Sequence, residues 1–112
     1  MKNISKKHQE KMVEWYGKYI LRHLQAIEDA GMYVLDLEEV HNGYGDWVYL
    51  RLSRYQHDDH ARFYIMFGND SLIFFYVGEY KQKVCCSRFN PEGLTKFLTM
   101  WREMEEHCSN CM

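Results

Sequence analysis

The amino-acid sequence predicts an α+β fold: an N-terminal helix, a five-stranded antiparallel meander sheet and a C-terminal helix, with the helices packed on the sheet. Three observations carry this. Apolar residues recur at helical spacing near both ends of the chain, they alternate with a period of two in between, and the connections between strands are too short for crossovers.

The first helix is expected over residues 5–30. Met12, Tyr16, Ile20, Leu24 and Ile27 fall on one face of it. Gly31 follows as a stop, since glycine takes the left-handed conformation at least steric cost. Glu28 and Asp29 sit in the last turn, where acids oppose the helix dipole, so a tertiary partner is one reason for their presence and plain tolerance the other.

The period then changes. Tyr33, Leu35 and Leu37 alternate with Val34, Asp36 and Glu38 as a half-buried strand. His41-Asn42-Gly43-Tyr44-Gly45 contains the Asn-Gly pair of a tight hairpin. A second strand over 46–55 puts Val48, Leu50 and Leu52 on one face and Trp47, Tyr49 and Arg51 on the other. After the polar loop Gln56 to His60, a third strand divides Phe63, Ile65 and Phe67 from Arg62, Tyr64 and Met66. Leu72 to Val77 forms a fourth strand and residues 81–89 a fifth. Asn90-Pro91-Glu92 then opens a helix with a cap, a proline at its first position and an acid in its first turn. Leu94, Phe97, Leu98, Trp101, Met104 and Cys108 mark its apolar face.

The chain of 112 residues, 46% hydrophobic and 16% aromatic with one proline, is expected to form a single domain over 1–112. The opening MKNISKKHQEK holds no apolar run of signal-peptide type, and the longest apolar stretch, Leu72 to Val77, is too short to cross a bilayer. The expectation is a cytoplasmic, intracellular protein with its four cysteines reduced and no membrane partner. A net charge of −2 argues against nucleic acid as partner. That charge is unevenly spread: residues 1–25 carry six bases and two acids, and residues 26–46 carry six acids and no base.

Two clusters invite a chemical reading. His107, Cys108 and Cys111 with Cys85 or Cys86 could ligate zinc, although two ligands in the last five residues is an unusual arrangement for a structural site. His57-Asp58-Asp59-His60 could bind a transition metal or supply an acid–base pair, but a loop collects polar residues in any case. No phosphate loop or nucleophile elbow accompanies them, so no catalytic residue and no cofactor is assigned, and the protein is read as non-enzymatic.

The third feature weighs most. Strand four is apolar on both faces, with Leu72, Phe74 and Tyr76 on one and Ile73, Phe75 and Val77 on the other. Strands covered on both sides read this way, so the second face of the sheet needs a cover: a helix, a folded-back loop, a homodimer mate or a partner macromolecule. Aromatics with arginines could stack single-stranded RNA there, against which Asp36 and Glu38 repel phosphate if the first hairpin is in register. Pairing of Asp36 or Glu38 with Arg51 is the plain alternative.

The leading expectation is a small binding protein acting through a protein–protein interface. Its anchors are Trp47, Tyr49, Arg51, Arg62 and Tyr64, with the acids Asp36, Glu38, Glu39 and Asp46 meeting bases of the partner. In size and element order the chain resembles small inhibitors carried by phages and mobile elements, anti-CRISPR proteins among them. That likeness implies a nucleic-acid enzyme as the partner. A zinc-binding domain and an RNA-binding module are the alternatives.

Overall fold

The computed structural model describes residues 1–43, 45–68 and 72–110, with the side chains of Asn42 and of residues 105–110 left out of the description. Its elements run α1 (Lys6–Tyr16), α2 (Ile20–Asp29), β1 (Tyr33–Asn42), β2 (Gly45–Ser53), β3 (Phe63–Phe67), β4 (Leu72–Val77), β5 (Gln82–Arg88) and α3 (Pro91–Asn110). The α+β fold and the meander are as expected, with strand order β1-β2-β3-β4-β5 and every pairing antiparallel. The chain divides into two compact units, a helical one from residues 1–32 and 90–112 and a sheet from residues 33–89.

In the helical unit the expected single N-terminal helix is two. Ser5 caps α1 by accepting from the His8 N–H at 3.1 Å, and Gly17 ends it at φ 94°, its own N–H bonded to the Val13 carbonyl. Glycine inside a helix costs about 1 kcal/mol relative to alanine, so the chain breaks there. The apolar spacing continues across the break, and Met12, Ile20, Leu24 and Ile27 are fully buried.

Helix α2 ends in a Schellman motif. The Met32 N–H bonds the Ile27 carbonyl and the Gly31 N–H that of Glu28, with Gly31 at φ 77°. The misplaced acid finds its role here: the Glu28 carboxylate accepts from the backbone N–H groups of Lys2 and Asn3, tying the N-terminal segment to α2. Asp29 accepts from Gln25 at 2.9 Å. The Asn90 side chain caps α3 through the Gly93 N–H at 2.7 Å, and Thr95 Oγ1 donates to the Ala26 carbonyl, joining α3 to α2. Leu94 and Leu98 are buried on α3, whereas Met104, expected on the same apolar face, is exposed.

In the sheet, register fixes the faces. Leu50 opposes Ile65 and Ile65 opposes Phe75; Leu52 opposes Phe63 and Phe67 opposes Ile73. These residues and Val48 make a first face that is almost wholly buried, with Val48, Leu50, Ile65, Ile73 and Phe75 showing no exposure. The second face carries three rows: Asp36-Arg51-Tyr64-Tyr76-Lys83, Glu38-Tyr49-Met66-Phe74-Cys86, and Val40-Trp47 near the first hairpin.

Two features depart from strict alternation. An irregularity between Val34 and Asp36 adds a residue to β1, so Val34 and Leu37 oppose Leu52 and Leu50 on the same face. The expected grouping of Leu37 with Tyr33 is thereby corrected, since one extra residue reverses the parity of everything after it. A second irregularity lies between Phe75 and Tyr76 on the β4–β5 ladder. Strands β2 and β5 are also shorter than expected, ending at Ser53 and Arg88.

Candidate functional site

The second face of the sheet is a set of aromatic rings and paired charges. Arg51 binds the Asp36 carboxylate through both Nε and Nη2, the Nε contact at 2.7 Å, and its Nη1 donates to the Asp58 carbonyl at 3.0 Å. A longer contact, 3.5 Å, runs from the same Nη1 to the Ala61 carbonyl. Each nitrogen of the guanidinium thus has a partner on its own chain. Direct cross-strand register makes the pair, because Asp36 and Arg51 face each other on β1 and β2.

Tyr49 packs edge-on against Tyr76 at 4.9 Å and against Tyr64 at 6.5 Å between ring centroids. Burial raises the Tyr76 phenol well above the usual tyrosine range, and its hydrogen bond with Tyr49 adds to the shift. Over this cluster reaches Lys81, from the turn between β4 and β5. Its Nζ lies 3.1 Å from Glu38 Oε2, 4.9 Å from the Tyr64 ring centroid and 5.8 Å from that of Tyr49. Lys83 similarly stands 5.7 Å over the Phe74 ring. A concavity of about 160 Å³ opens among Asp36, Glu38, Tyr49, Arg51 and Tyr64.

These contacts answer part of the question of what covers the second face. The side chains of Lys81 and Lys83 lie over its aromatics, with the ammonium groups against the rings of Tyr49, Tyr64 and Phe74. Tyr64 and Met66 on the central strand are buried, and Leu72, Phe74 and Tyr76 on β4 are half-buried.

The anchors expected from sequence divide into two groups. Asp36, Glu38, Tyr49, Arg51 and Tyr64 come together around the concavity. Trp47 shares their face but lies toward the first hairpin, its indole close to Gly45. Arg62 precedes β3 and donates to the Ala61 and Asp59 carbonyls at 2.8 and 3.2 Å. Glu39 and Asp46 project from the opposite face and flank His41, whose Nδ1 is 2.8 Å from Asp46 and whose Nε2 is 3.6 Å from Glu39. The hydrogen bond to Asp46 raises the His41 pKa. The acidic run therefore meets partners on its own chain: the cations of Arg51 and Lys81, and the His41 imidazole.

Sequence reasoning missed Tyr76 and Lys81. Alternation already placed Tyr76 beside Phe74, so a signal for it existed. Lys81 depends on a left-handed backbone, φ 51°, which nothing in a lysine announces.

In the loop after β2, Asp58 works locally. It accepts from Ser53 Oγ at 2.7 Å and from the His60 N–H at 3.1 Å, and the Ser53 bond is the main reason its carboxyl titrates below the usual range. Among the described residues no three His, Cys, Asp or Glu side chains gather as metal ligands. Cys111 and the side chains of His107 and Cys108 lie outside the described residues. Cys85 and Cys86 are free thiols exposed on β5, opposite Phe75 and Phe74, and burial of the Cys85 sulfur raises its pKa.

A larger groove, about 420 Å³, lies in the helical unit between α2 and the start of α3. Its walls mix Leu21 and Ala26 with Arg22, Gln25, Asp29, Glu92 and Thr95. No helix among the described residues is long and apolar enough to cross a membrane. Comparison with protein-family models, with curated proteins and with solved structures finds no match for this chain.

Proposed function

We propose that the protein is a non-enzymatic binding module that captures a protein partner through the second face of its sheet. The observation that carries this reading is the concavity among Asp36, Glu38, Tyr49, Arg51 and Tyr64, where aromatic rings and charges of both signs are already oriented by contacts within the sheet. Tyrosine and arginine supply large contact area with few rotamers left to freeze, which is the composition of interface anchors. Trp47 extends the surface toward the first hairpin and Arg62 toward the β2–β3 loop. Glu39 and Asp46 stand on the other face, outside the main contact.

The partner class we favour is a nucleic-acid enzyme, whose phosphate-binding lysines and arginines would meet Asp36 and Glu38, in the manner of the small inhibitors the chain resembles. Its place of action in this proposal is the cytoplasm, and a homodimer is one form in which it could act. Single-stranded RNA is a poorer fit for the same face, since two carboxylates in line with the tyrosines repel phosphate.

The test is a tagged pull-down from lysate of the source cell, with and without nuclease, comparing the wild type with a Trp47→Ala/Tyr49→Ala variant. A specific protein recovered after nuclease treatment and lost with the folded variant supports the reading. Recovery of nucleic acid alone overturns it in favour of RNA binding.

A further inference from the structure

The concavity of the second face has a chemistry narrower than its residue list suggests. Arg51 lines it, but each of its three guanidinium nitrogens already has a partner, in Asp36 or in the carbonyls of Asp58 and Ala61, so it offers little to an incoming anion. With Arg51 set against Asp36, what is left for an incoming cation is the Glu38 carboxylate and the rings of Tyr49 and Tyr64, which Lys81 now holds. Aromatic faces carry the negative part of the ring quadrupole and attract ammonium and guanidinium groups. Lys81 displays this chemistry, with its Nζ against Glu38 and over both tyrosine rings. The volume, about 160 Å³, suits the end of one side chain. Pockets that enclose whole small molecules span roughly 300–1,000 Å³.

We propose that the cage of Glu38, Tyr49 and Tyr64, with Asp36 at its rim, takes up a lysine side chain of the protein partner in exchange for Lys81. The proposal rests on the reading of this face as the partner surface and names the group the partner supplies. Exchange is feasible because the carboxylate that Lys81 meets is open to solvent, whereas the Lys81 side chain itself is 24% exposed. Lys81 stands in the tight turn closed by its own N–H on the Gly78 carbonyl, and its ion pair is with a Glu38 side chain that is 53% exposed. Such pairs contribute little in water. The residue also keeps a left-handed backbone that lysine rarely adopts, so its ammonium reaches the cage from a position glycine would fill more easily. An incoming lysine replaces the same contacts, and the rest of the interface decides the outcome.

The experiment titrates Nα-acetyl-lysine methylamide into protein with labelled tyrosine rings and follows the Tyr49 and Tyr64 resonances. Nα-acetyl-norleucine methylamide, which has no charge, is the control. Lys81→Gly empties the cage while keeping the turn. The expected result is saturable shifts confined to those rings with the lysine compound and none with the control, an affinity about fivefold higher in Lys81→Gly, and a fall of similar size when Glu38→Gln is added. Equal response to both compounds overturns the proposal, as does silence of both rings in a folded Lys81→Gly variant. If partner capture is lost with Trp47→Ala/Tyr49→Ala while the lysine compound leaves the rings unmoved, the surface reading survives and this inference falls. If the lysine compound binds but the folded aromatic variant still captures the partner, the surface reading falls and takes the partner's lysine with it.

Discussion

The two faces of the sheet use the same strands to opposite ends. On the first, Leu50, Ile65, Ile73 and Phe75 meet across three strands and show no exposure, with Phe63 stacked on Phe75 at 5.9 Å. On the second, the matching positions are Tyr49, Met66 and Phe74 and, one row along, Arg51, Tyr64 and Tyr76, edged by Asp36 and Glu38 on one side and Lys83 on the other. The first face is held by apolar area and needs no particular geometry beyond close packing. The second is held by oriented pairs, each of modest strength, and its outer atoms stay in water. Under the proposal above, such a surface exchanges its own pairs for those of a partner, which a close-packed apolar face cannot do without unfolding.

That contrast predicts a ranking of substitutions. Phe75→Ala or Leu50→Ala is expected to cost about 3–5 kcal/mol by urea unfolding, the price of a cavity in a packed layer. Tyr49→Ala loses its edge contacts to Tyr64 and Tyr76 and is expected to cost less, about 1–3 kcal/mol, leaving the sheet folded in the amide spectrum. Equal losses for Tyr49→Ala and Phe75→Ala would erase the distinction between the faces.

Smaller still is Ser53→Ala, which removes the main hydrogen bond to Asp58 and is expected to cost about 1 kcal/mol. Because the folded carboxyl of Asp58 is depressed, its contribution is present above the unfolded carboxyl pKa and is lost as pH falls through the folded value. Stability of the Ser53→Ala variant should therefore fall less steeply than that of the wild type on acidification through that window, as read by unfolding at several pH values. A steeper fall would contradict the assignment.

The least effect belongs to His41 at the turn end of the first hairpin. Its pKa is raised by Asp46, so its contribution to stability is complete below the unfolded histidine value and fades as pH rises through the folded one. An NMR titration is expected to place the ring above the ordinary value in the wild type and closer to it in Asp46→Asn.

Much of this contrast was legible before any coordinates. Alternation in β2, β3 and β4 assigned Val48, Leu50 and Leu52, then Phe63, Ile65 and Phe67, to one face correctly, because side-chain parity is fixed wherever a strand is regular. The same parity put Asp36 and Glu38 on the face of Arg51 and left either as its mate, and the register makes it Asp36. Parity fails where a residue is added, and the irregularity after Val34 has no signature in a run as apolar as Tyr33-Val34-Leu35. The break at Gly17 was missed, because the spacing of Met12, Tyr16 and Ile20 runs through it and hides it.

Of the nine anchors expected for the site, five gather around the concavity, and those five lie within strands. The four that stand apart, Trp47, Arg62, Glu39 and Asp46, are near turns or on the other face, where pattern says less about direction. Lys81 was beyond reach, since its role follows from a backbone conformation that lysine seldom takes. The acidic run also reads differently once its neighbours are known. As a segment it holds no base, yet Arg51, Lys81 and His41 reach it from elsewhere or from within, so its free charge is smaller than its composition suggests.

The comparison of faces is tested most directly by measuring partner recovery and melting temperature together for wild type, Trp47→Ala/Tyr49→Ala and Leu50→Ala, in nuclease-treated lysate. The account predicts that the aromatic variant loses the specific protein partner while melting above the Leu50→Ala variant. A folded aromatic variant that recovers the same partner at the wild-type level would contradict it.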